Sequence, residues 1–278
     1  MSDARFPATL APLSDAGWQR FAELMQQSIG LSLTAASGPR AKARLAPRLR
    51  RLGLPGFDAY VELLDENGPE MAAALDLLTL PETGFFHEPA QFELLESEFS
   101  GPRPARLRLW SAATACGEEA YSLAMLLADL QAAGRVGADW TVLGTDISAR
   151  RLRSAQGALY AEAPLRRQVA AGRLQRHALG ASAASTAILQ MRASLRERVR
   201  FQQHDLREPF DTDERFDAVL LRQLLLYVDR ATRRTVLAHV LEHLKPGGLL
   251  LVGVAEQGLV DAAEVTPLGS GAFRKQAA

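Results

Sequence analysis

The chain has 278 residues, of which 47% are hydrophobic and 23% charged, a balance that is typical of a folded globular protein and excludes a disordered one. Its 32 lysines and arginines equal its 32 aspartates and glutamates, so no net charge favours nucleic acid or an anionic membrane as a partner. At this length we expect one large domain with a smaller attachment.

The N-terminal residues, the apolar runs and the cysteine content bear on where the protein is located. The N-terminus lacks a basic start followed by an apolar run, so it predicts no signal peptide. Apolar runs such as Leu249 to Val254 are far shorter than the roughly 20 residues that span a bilayer. The single cysteine, Cys116, cannot form an internal disulfide, which fits a reducing compartment. We therefore expect a cytoplasmic protein that is not inserted in a membrane.

From Asp15 to about Leu80, apolar residues recur at helical spacing and no strand pattern occurs. Glycine, proline and asparagine near positions 53–56 and 67–69 separate the later helices, which we place at Ala41 to Leu52, Phe57 to Asp65 and Pro69 to Leu78. We expect an N-terminal all-helical domain over residues 1–85.

One of these helices is strongly basic. Its cationic residues are Arg40, Lys42, Arg44, Arg48, Arg50 and Arg51. They could bind the acidic helices of a partner protein, or they could form an ordinary solvated helix face.

After Pro104 the pattern changes to short apolar runs that alternate with helical stretches, which indicates an α/β domain with a parallel sheet over residues 86–278. The connection from Tyr160 to Arg198 is too long for a plain loop, so we expect an inserted subdomain or flap at about residues 161–198. The predicted strands are Leu107 to Ala112, Thr141 to Asp146, Val199 to His204, Phe216 to Leu221 and Leu249 to Gly253.

The first predicted strand ends in small residues and leads into a helix that begins near Glu118 and Glu119. Small residues let a ligand approach the amides at a helix N-terminus, although a tight turn with no ligand has the same composition. The adjacent carboxylates would repel a phosphate. They would suit a cationic or polyhydroxyl ligand.

Acidic residues close the next two strands. Asp146 can accept hydrogen bonds from the hydroxyls of a ribose, or it can cap the following helix, as can Ser148. Asp205 and Leu206 follow the third strand, where they can receive an adenine amino group, or Asp205 can simply form a turn.

Five segments carry motifs that occur in a fixed order: Thr83 to His87, Trp110 to Ser122, Thr145 to Tyr160, Phe216 to Tyr227 and Leu244 to Glu256. Together they resemble the CheR family of chemoreceptor methyltransferases. The first resembles the family's Thr-x-Phe-Phe-Arg, and the fourth resembles its Phe-Asp-x-Ile-x-Cys-Arg-Asn-x-x-Ile-Tyr. The resemblance extends from about Trp18 to Lys275.

The resemblance implies an enzyme that uses S-adenosylmethionine to esterify glutamate side chains on a methyl-accepting chemoreceptor, in the acidic helical cytoplasmic region of that partner. It implies a Rossmann-like class I methyltransferase sheet with an antiparallel last strand, an N-terminal all-helical domain and a small inserted β-subdomain. We expect the enzyme to act as a monomer.

The resemblance also implies roles for individual residues. Tyr227 and His87 are implied to act catalytically, Tyr227 near the methyl group. The implied cofactor-binding residues are Thr83, His87, Glu119, Asp146, Asp205, Leu206, Arg222 and Gln223.

Several positions depart from the family pattern. His87 replaces an arginine that is implied to hold the cofactor's carboxylate, and Gln223 replaces an asparagine. Pro81 and the pair Val254 and Ala255 also differ from the family residues. Because histidine offers fewer donors than arginine and no permanent charge, we expect weaker cofactor binding.

Other interpretations compete with this one. The segment His239 to His243 fits the H-x-x-E-H pattern of zinc peptidases, but it leads directly into a turn before a strand, and we predict no metal. Cys116 could be a nucleophile, although a packed small residue explains it better. The rival functions are a non-catalytic protein that binds S-adenosylmethionine or acts as a scaffold, and a methyltransferase for another carboxylate or a small molecule.

Overall fold

The computed structural model describes residues 10–33, 37–66, 68–78, 84–101, 106–181 and 187–277. The chain divides into two compact units. One consists of Met1–Pro81 with Tyr227–Asp229, and the other of Glu82–Leu226 with Arg230–Ala278. Within the described ranges, no helix is both long and apolar enough to cross a membrane.

The first unit is helical, as the spacing of its apolar residues predicts. Ser14 begins the first helix by accepting a hydrogen bond from the Gly17 amide on its side chain, and Gly30 ends that helix in the left-handed conformation. The helices pack around a core that includes Phe21, Met25 and Tyr60. Their bounds are α1 (Asp15–Ile29), α2 (Gly38–Leu52), α3 (Phe57–Glu66) and α4 (Gly68–Leu78).

The basic helix α2 uses part of its charge inside this unit. Arg48 donates to the buried carboxylate of Glu70, which also accepts a hydrogen bond from the Tyr60 hydroxyl at 2.8 Å. Hydrogen bonds from Arg48 outweigh the cost of burial and lower the pKa of Glu70. Arg44 donates to the Leu78 carbonyl. These two arginines therefore stabilise the helical unit.

The second unit alternates helices and strands. Its helices are α5 (Pro89–Glu98), α6 (Glu118–Ala132), α7 (Ala149–Gly157), α8 (Glu162–Gln168), α9 (Ala171–His177), α10 (Ala193–Arg196) and α11 (Arg230–His243). Its strands are β1 (Arg106–Ala112), β2 (Asp139–Asp146), β3 (Leu159–Ala161), β4 (Ala178–Ala181), β5 (Ile188–Met191), β6 (Val199–Gln203), β7 (Phe216–Leu221), β8 (Leu244–Val252), β9 (Val265–Gly269) and β10 (Ala272–Lys275).

Among the described residues, the main sheet has the strand order β6-β2-β1-β7-β8-β10-β9. The strands from β6 to β8 are parallel, whereas β10 is antiparallel to both β8 and β9. Two hydrophobic clusters, which include Leu109 and Trp110 respectively, contain alternate residues of β1. The expected α/β class, with a helical N-terminal region, is confirmed.

The segment between α7 and β6 forms a small sheet of its own. Its order is β3-β5-β4 in the part of the chain that is described, and both pairings are antiparallel. We call residues 159–196 the insert. The sequence predicted a subdomain there without locating its strands, because its alternation of β-branched residues is weak.

Two features of the sheet differ from the local sequence patterns. The turn residues before Leu249 belong to β8, which already pairs at Leu244 with Phe216 and then shifts register. A Cβ at Gly248 would lie 3.0 Å from the Asp217 carbonyl oxygen, so a glycine fits this close approach. The hairpin of β9 and β10 was not predicted from apolar runs, because Val265 to Gly269 contains proline and polar residues.

Candidate active site

The carboxyl ends of the parallel strands form one edge of the main sheet. The strand order reverses at β1, since β2 and β6 lie on one side and β7 and β8 on the other. Open α/β sheets bind ligands at such a switch point. The ends of these strands and the loops and helix starts that follow them carry Glu119, Asp146, Asp205, Leu206, Arg222 and Gln223.

The loop from Ala113 to Gly117 connects β1 with α6 through left-handed residues. The φ angles of Ala113 and Ala115 are 64° and 53°, which are unfavourable for residues with a Cβ. At Gly117, φ is 90° and a Cβ would lie 2.8 Å from the Ala155 Cβ, so glycine is required. Strained backbone of this kind is concentrated at functional sites.

Asp146 ends β2 and is buried. Its Oδ2 accepts the Ala115 amide and its Oδ1 accepts the Ser148 amide, both at 2.9 Å. Ser148, and not Asp146, is the N-cap of α7, because its hydroxyl accepts the Arg151 amide. The carboxylate therefore links the loop after β1 to the loop after β2 and has a fixed orientation.

Glu119 lies in the first turn of α6 and points back to the end of β1. Its Oε1 accepts the Ser111 hydroxyl at 2.7 Å, and its Oε2 accepts Nη1 of Arg222 at 3.1 Å. Burial raises the pKa of Glu119, although the charge of Arg222 and the hydrogen bond from Ser111 oppose this shift. A second cation beside this carboxylate would therefore favour its charged form.

Arg222 follows β7 and its side chain is only 4% exposed. Besides Glu119, it donates to Oε2 of Glu88 from Nε at 3.2 Å and from Nη2 at 2.9 Å. Nη2 also donates to the His87 carbonyl at 2.7 Å. Glu88 in turn accepts the Val254 amide through Oε1 at 2.9 Å. Arg222 thus joins the loops after β7 and β8 to the segment before α5.

His87 has an exposed side chain beside this cluster. Its Nδ1 lies 3.0 Å from Nη2 of Arg222, which can only donate, so Nδ1 is the acceptor. The structure therefore places His87 at the site with one ring nitrogen already engaged by Arg222.

Glu256 is a site residue to which the sequence assigned no role. It is fully buried, and its carboxylate accepts the amides of Gln223 at 2.9 Å, Leu226 at 3.2 Å and Gly253 at 2.9 Å. Gln223 has φ 58°, a strained conformation that this bonding supports. Its position in the closing motif was the only sequence signal for Glu256. Glu88 gave no signal beyond its place after His87.

Asp205 and Leu206 follow β6. The carboxylate of Asp205 accepts the amide and the guanidinium of Arg207. These hydrogen bonds outweigh the opposing effect of burial and lower the pKa of Asp205. Leu206 is buried in the core cluster that includes Trp110. The Asp205 carboxylate, which was predicted to contact the adenine, therefore already accepts hydrogen bonds from Arg207.

Two predicted site residues stand apart. Thr83, like Pro81, lies outside the described residues. Tyr227 is grouped with the helical unit, where its carbonyl accepts the Ser32 amide at 2.7 Å, and its side chain is exposed.

Some buried polar atoms near the carboxyl ends of the strands indicate what kind of cofactor would fit there. Within the described residues, Oγ1 of Thr114, Oε2 of Glu118 and Nε2 of His204 are buried and have no hydrogen-bond partner. Burial raises the pKa of Glu118, against the attraction of Arg151. Because unpaired buried polar groups are costly, a ligand with hydrogen-bonding groups and positive charge fits these residues.

The competing chemistries receive no support at the residues concerned. His239 Nδ1 lies 3.1 Å from the Leu206 carbonyl, and His243 is buried beside Arg215. No group of His, Cys, Asp and Glu in the described ranges could hold a metal ion. Burial and the nearby Glu118 raise the pKa of Cys116, so its thiol is a poor nucleophile.

Comparison with known proteins identifies two family models in this chain. Residues 16–79 match "CheR methyltransferase, all-alpha domain", and residues 81–267 match "CheR methyltransferase, SAM binding domain". SAM is S-adenosylmethionine.

Similar curated proteins have related names. The chemotaxis protein methyltransferase of Salmonella typhimurium is 33% identical over 247 residues, covering 88% of this chain and 84% of its own. That of Escherichia coli is also 33% identical, covering 88% and 85%. A probable biofilm formation methyltransferase, WspC of Pseudomonas putida, is 32% identical, covering 90% and 59%. A solved glycopeptide N-methyltransferase, MtfA with S-adenosylmethionine, is 19% identical, has a TM-score of 0.37 and covers 70% of this chain and 71% of its own.

Proposed function

The chain belongs to the CheR methyltransferase family and uses S-adenosylmethionine, and from this we propose that it methylates glutamate side chains of a methyl-accepting chemoreceptor. The observation that carries the proposal is the joint match of the all-alpha and SAM-binding models, in that order, over nearly the whole chain. The curated relatives named chemotaxis protein methyltransferases support the same partner.

The chemistry asks little of the protein beyond positioning. The cofactor, when bound, supplies a methyl group on a positively charged sulfur. A glutamate side chain has a reference pKa of about 4.3, so it is ionised at neutral pH and needs no general base. Alignment of reacting groups can contribute about 7 to 11 kcal/mol. The buried loops at the carboxyl ends of the strands are joined by hydrogen bonds and ion pairs, and so they suit that task.

We assign the cofactor contacts as follows. Asp146, whose carboxylate is fixed by backbone amides, accepts the ribose hydroxyls. Glu119 holds the ammonium group, because a cation would stabilise its buried charged form. Arg222 donates to Glu88, to the His87 carbonyl and to Glu119. We therefore propose that Arg222 orients the Glu119 carboxylate in the cofactor site.

The remaining assignments follow the family motifs. Asp205 and Leu206 bind the adenine, and Gln223 and Thr83 complete the cofactor site. His87 and Tyr227 act at the reacting groups, His87 in the position where the family has an arginine.

The receptor partner would be recognised by charge. Arg40, Arg50 and Arg51 of α2 are exposed, and we propose that they contact an acidic helical region of the receptor's cytoplasmic part. Exposed charges act within a Debye length of about 8 Å at physiological ionic strength, so this contact should weaken with salt. We further propose that the enzyme works as a monomer in the cytoplasm.

Transfer of a tritiated methyl group to membranes that contain candidate receptors tests the proposal. We expect label on the receptor with the wild type and little with Asp146→Ala. The matched control is Arg200→Met, which removes an exposed ion pair with Glu214 and should leave transfer unchanged. A wild type that binds S-adenosylhomocysteine but labels no receptor would support a non-catalytic role.

A further inference from the structure

The insert contacts the loop from Gly84 to Glu88 through the end of α8. The Phe85 amide donates to Oε1 of Gln168 at 2.9 Å. A Cβ at Gly84 would lie 2.5 Å from Nε2 of Gln168, so the absence of a side chain there makes room for the glutamine. Gln168 is therefore fitted against the backbone of this loop.

Helix α9 of the insert makes a second contact. The guanidinium carbon of Arg173 lies 4.6 Å from the centre of the Phe86 ring, within the range of a cation–π interaction. Nε of Arg173 donates to Asp129 of α6 at 2.7 Å, and Arg176 and His177 bind the same carboxylate. Arg173 is thus fixed against α6 while it covers Phe86.

Strand β3 supplies a third contact. The Tyr160 ring packs edge-on against Phe85 with 4.8 Å between ring centres, and its hydroxyl donates to the Cys116 carbonyl at 2.8 Å. Burial, and then the nearby Glu118, raise the pKa of Tyr160 well above its ordinary value, so the hydroxyl keeps its proton. The insert consequently contacts both the Gly84–Glu88 loop and the loop after β1.

The Gly84–Glu88 loop needs such support because of its backbone. Phe86 and Glu88 have φ angles of 51° and 57°, the left-handed region that is unfavourable for residues with a Cβ. The Phe86 amide donates to Oγ of Ser122 at 3.0 Å, which anchors one side of the loop. Glu88 then meets Arg222 only if the loop keeps this conformation.

We propose that the insert is a positioning element of the active site. The Gly84–Glu88 loop positions Arg222 and, through Arg222, Glu119. Gln168 and Arg173 in turn hold this loop in its strained conformation. They are positioning residues, since each acts through the loop. The inference rests on the proposed function for its effect on methyl transfer, but its effect on the loop can be measured separately.

Gln168→Ala and Gln168→Glu form a matched pair, because only the second keeps an acceptor for the Phe85 amide. In Gln168→Ala, the peptide covering residues 84–88 should exchange its amide hydrogens about fivefold faster, as expected for the loss of one hydrogen bond. S-adenosylhomocysteine should bind about fivefold more weakly and kcat should fall, whereas the KM for receptor should not change. Gln168→Glu should restore both exchange and binding.

Arg173→Ala and Arg176→Ala form the second pair. Both remove a donor to Asp129, but only Arg173 lies on the Phe86 ring. Arg173→Ala should weaken S-adenosylhomocysteine binding several-fold and Arg173→Lys should recover most of it, because lysine keeps the cation. Arg176→Ala should bind like the wild type, even if the thermal midpoints of the two alanine variants fall equally.

Unchanged loop exchange and cofactor affinity in Gln168→Ala would overturn the inference. So would equal losses of affinity in Arg173→Ala and Arg176→Ala, which would indicate a general loss of stability. If the wild type methylates no receptor, the proposed function fails, while the exchange and binding measurements still test the insert.

Discussion

Arg222 and Glu119 are 103 positions apart in the sequence, yet Nη1 of Arg222, directly after β7, donates to Oε2 of Glu119, in the first turn of α6, at 3.1 Å. Both side chains are largely removed from water, with 4% and 12% of their surface exposed. Loss of one partner from a buried pair leaves an uncompensated charge. The pair should therefore be important for stability as well as for the cofactor site.

Arg222→Met should lower the free energy of unfolding by about 3 to 5 kcal/mol, because Glu88 and Glu119 both lose their cation. Glu119→Gln should cost less, since Arg222 keeps Glu88. The double variant should lose less than the sum of the single losses, by about 0.5 to 3 kcal/mol. Urea unfolding measures all four proteins. In the Arg200→Met control, the free energy of unfolding should fall by less than about 1 kcal/mol. A fall as large as that in Arg222→Met would contradict the prediction that the buried ion pair matters more than an exposed one.

Asp146→Ala should weaken S-adenosylhomocysteine binding strongly, because each charge-assisted hydrogen bond to a buried ligand contributes about 1.5 to 3 kcal/mol. It should also lower stability, since the amides of Ala115 and Ser148 lose their acceptor. Asp146→Asn keeps one acceptor oxygen, so its affinity for S-adenosylhomocysteine should lie between those of the wild type and Asp146→Ala. Calorimetric titration gives the affinities, and unchanged affinity in Asp146→Ala would exclude Asp146 from the cofactor site.

His87→Arg should tighten S-adenosylhomocysteine binding by about tenfold, because a guanidinium forms a permanent bidentate pair with a carboxylate. The fold should tolerate the change, since the side chain at this position is exposed and Arg222 also binds the His87 carbonyl. His87→Ala is the control for loss of the ring. If all three proteins bind equally well, the side chain at position 87 does not contact the cofactor.

Asp129 should make the second unit sensitive to acid. Hydrogen bonds from His177, Arg176 and Arg173 outweigh burial and lower the pKa of Asp129 well below its ordinary value. Its contribution is therefore complete above the unfolded pKa of about 3.9, and is lost as the pH falls through the lower folded value. Between about pH 5 and pH 2, unfolding free energy should fall more steeply in the wild type than in Asp129→Asn. Parallel curves would contradict this.

The main sheet was largely predictable because most of its parallel strands are short apolar runs, bounded by residues that are typical of turns and helix starts. The parallel strands β1, β2, β6 and β7 lie within two residues of the predicted positions. Asp146 was singled out because it ends such a strand, whereas Arg222 was singled out only because its segment resembles a family motif. The match of the family motifs then assigned them to one site.

The bonds that hold the site together were not predictable from local patterns. Glu256 binds backbone amides about 30 positions away, and Glu88 binds an arginine 134 positions away. Neither partnership leaves a periodic signal in the sequence. The contact between Gln168 and Phe85 depends on the path of the insert, which the sequence located without defining its strands.

The most direct measurement is the chemical form and position of the methyl group after incubation with S-adenosylmethionine and receptor. Carboxyl methyl esters release methanol in mild alkali, whereas N-methyl groups do not. We predict that receptor labelled by the wild type releases its tritium as methanol, and that peptide mapping before this treatment places the label on glutamate side chains. Alkali-stable label, or label on another residue type or a small molecule, would contradict the assignment as a protein-glutamate methyltransferase.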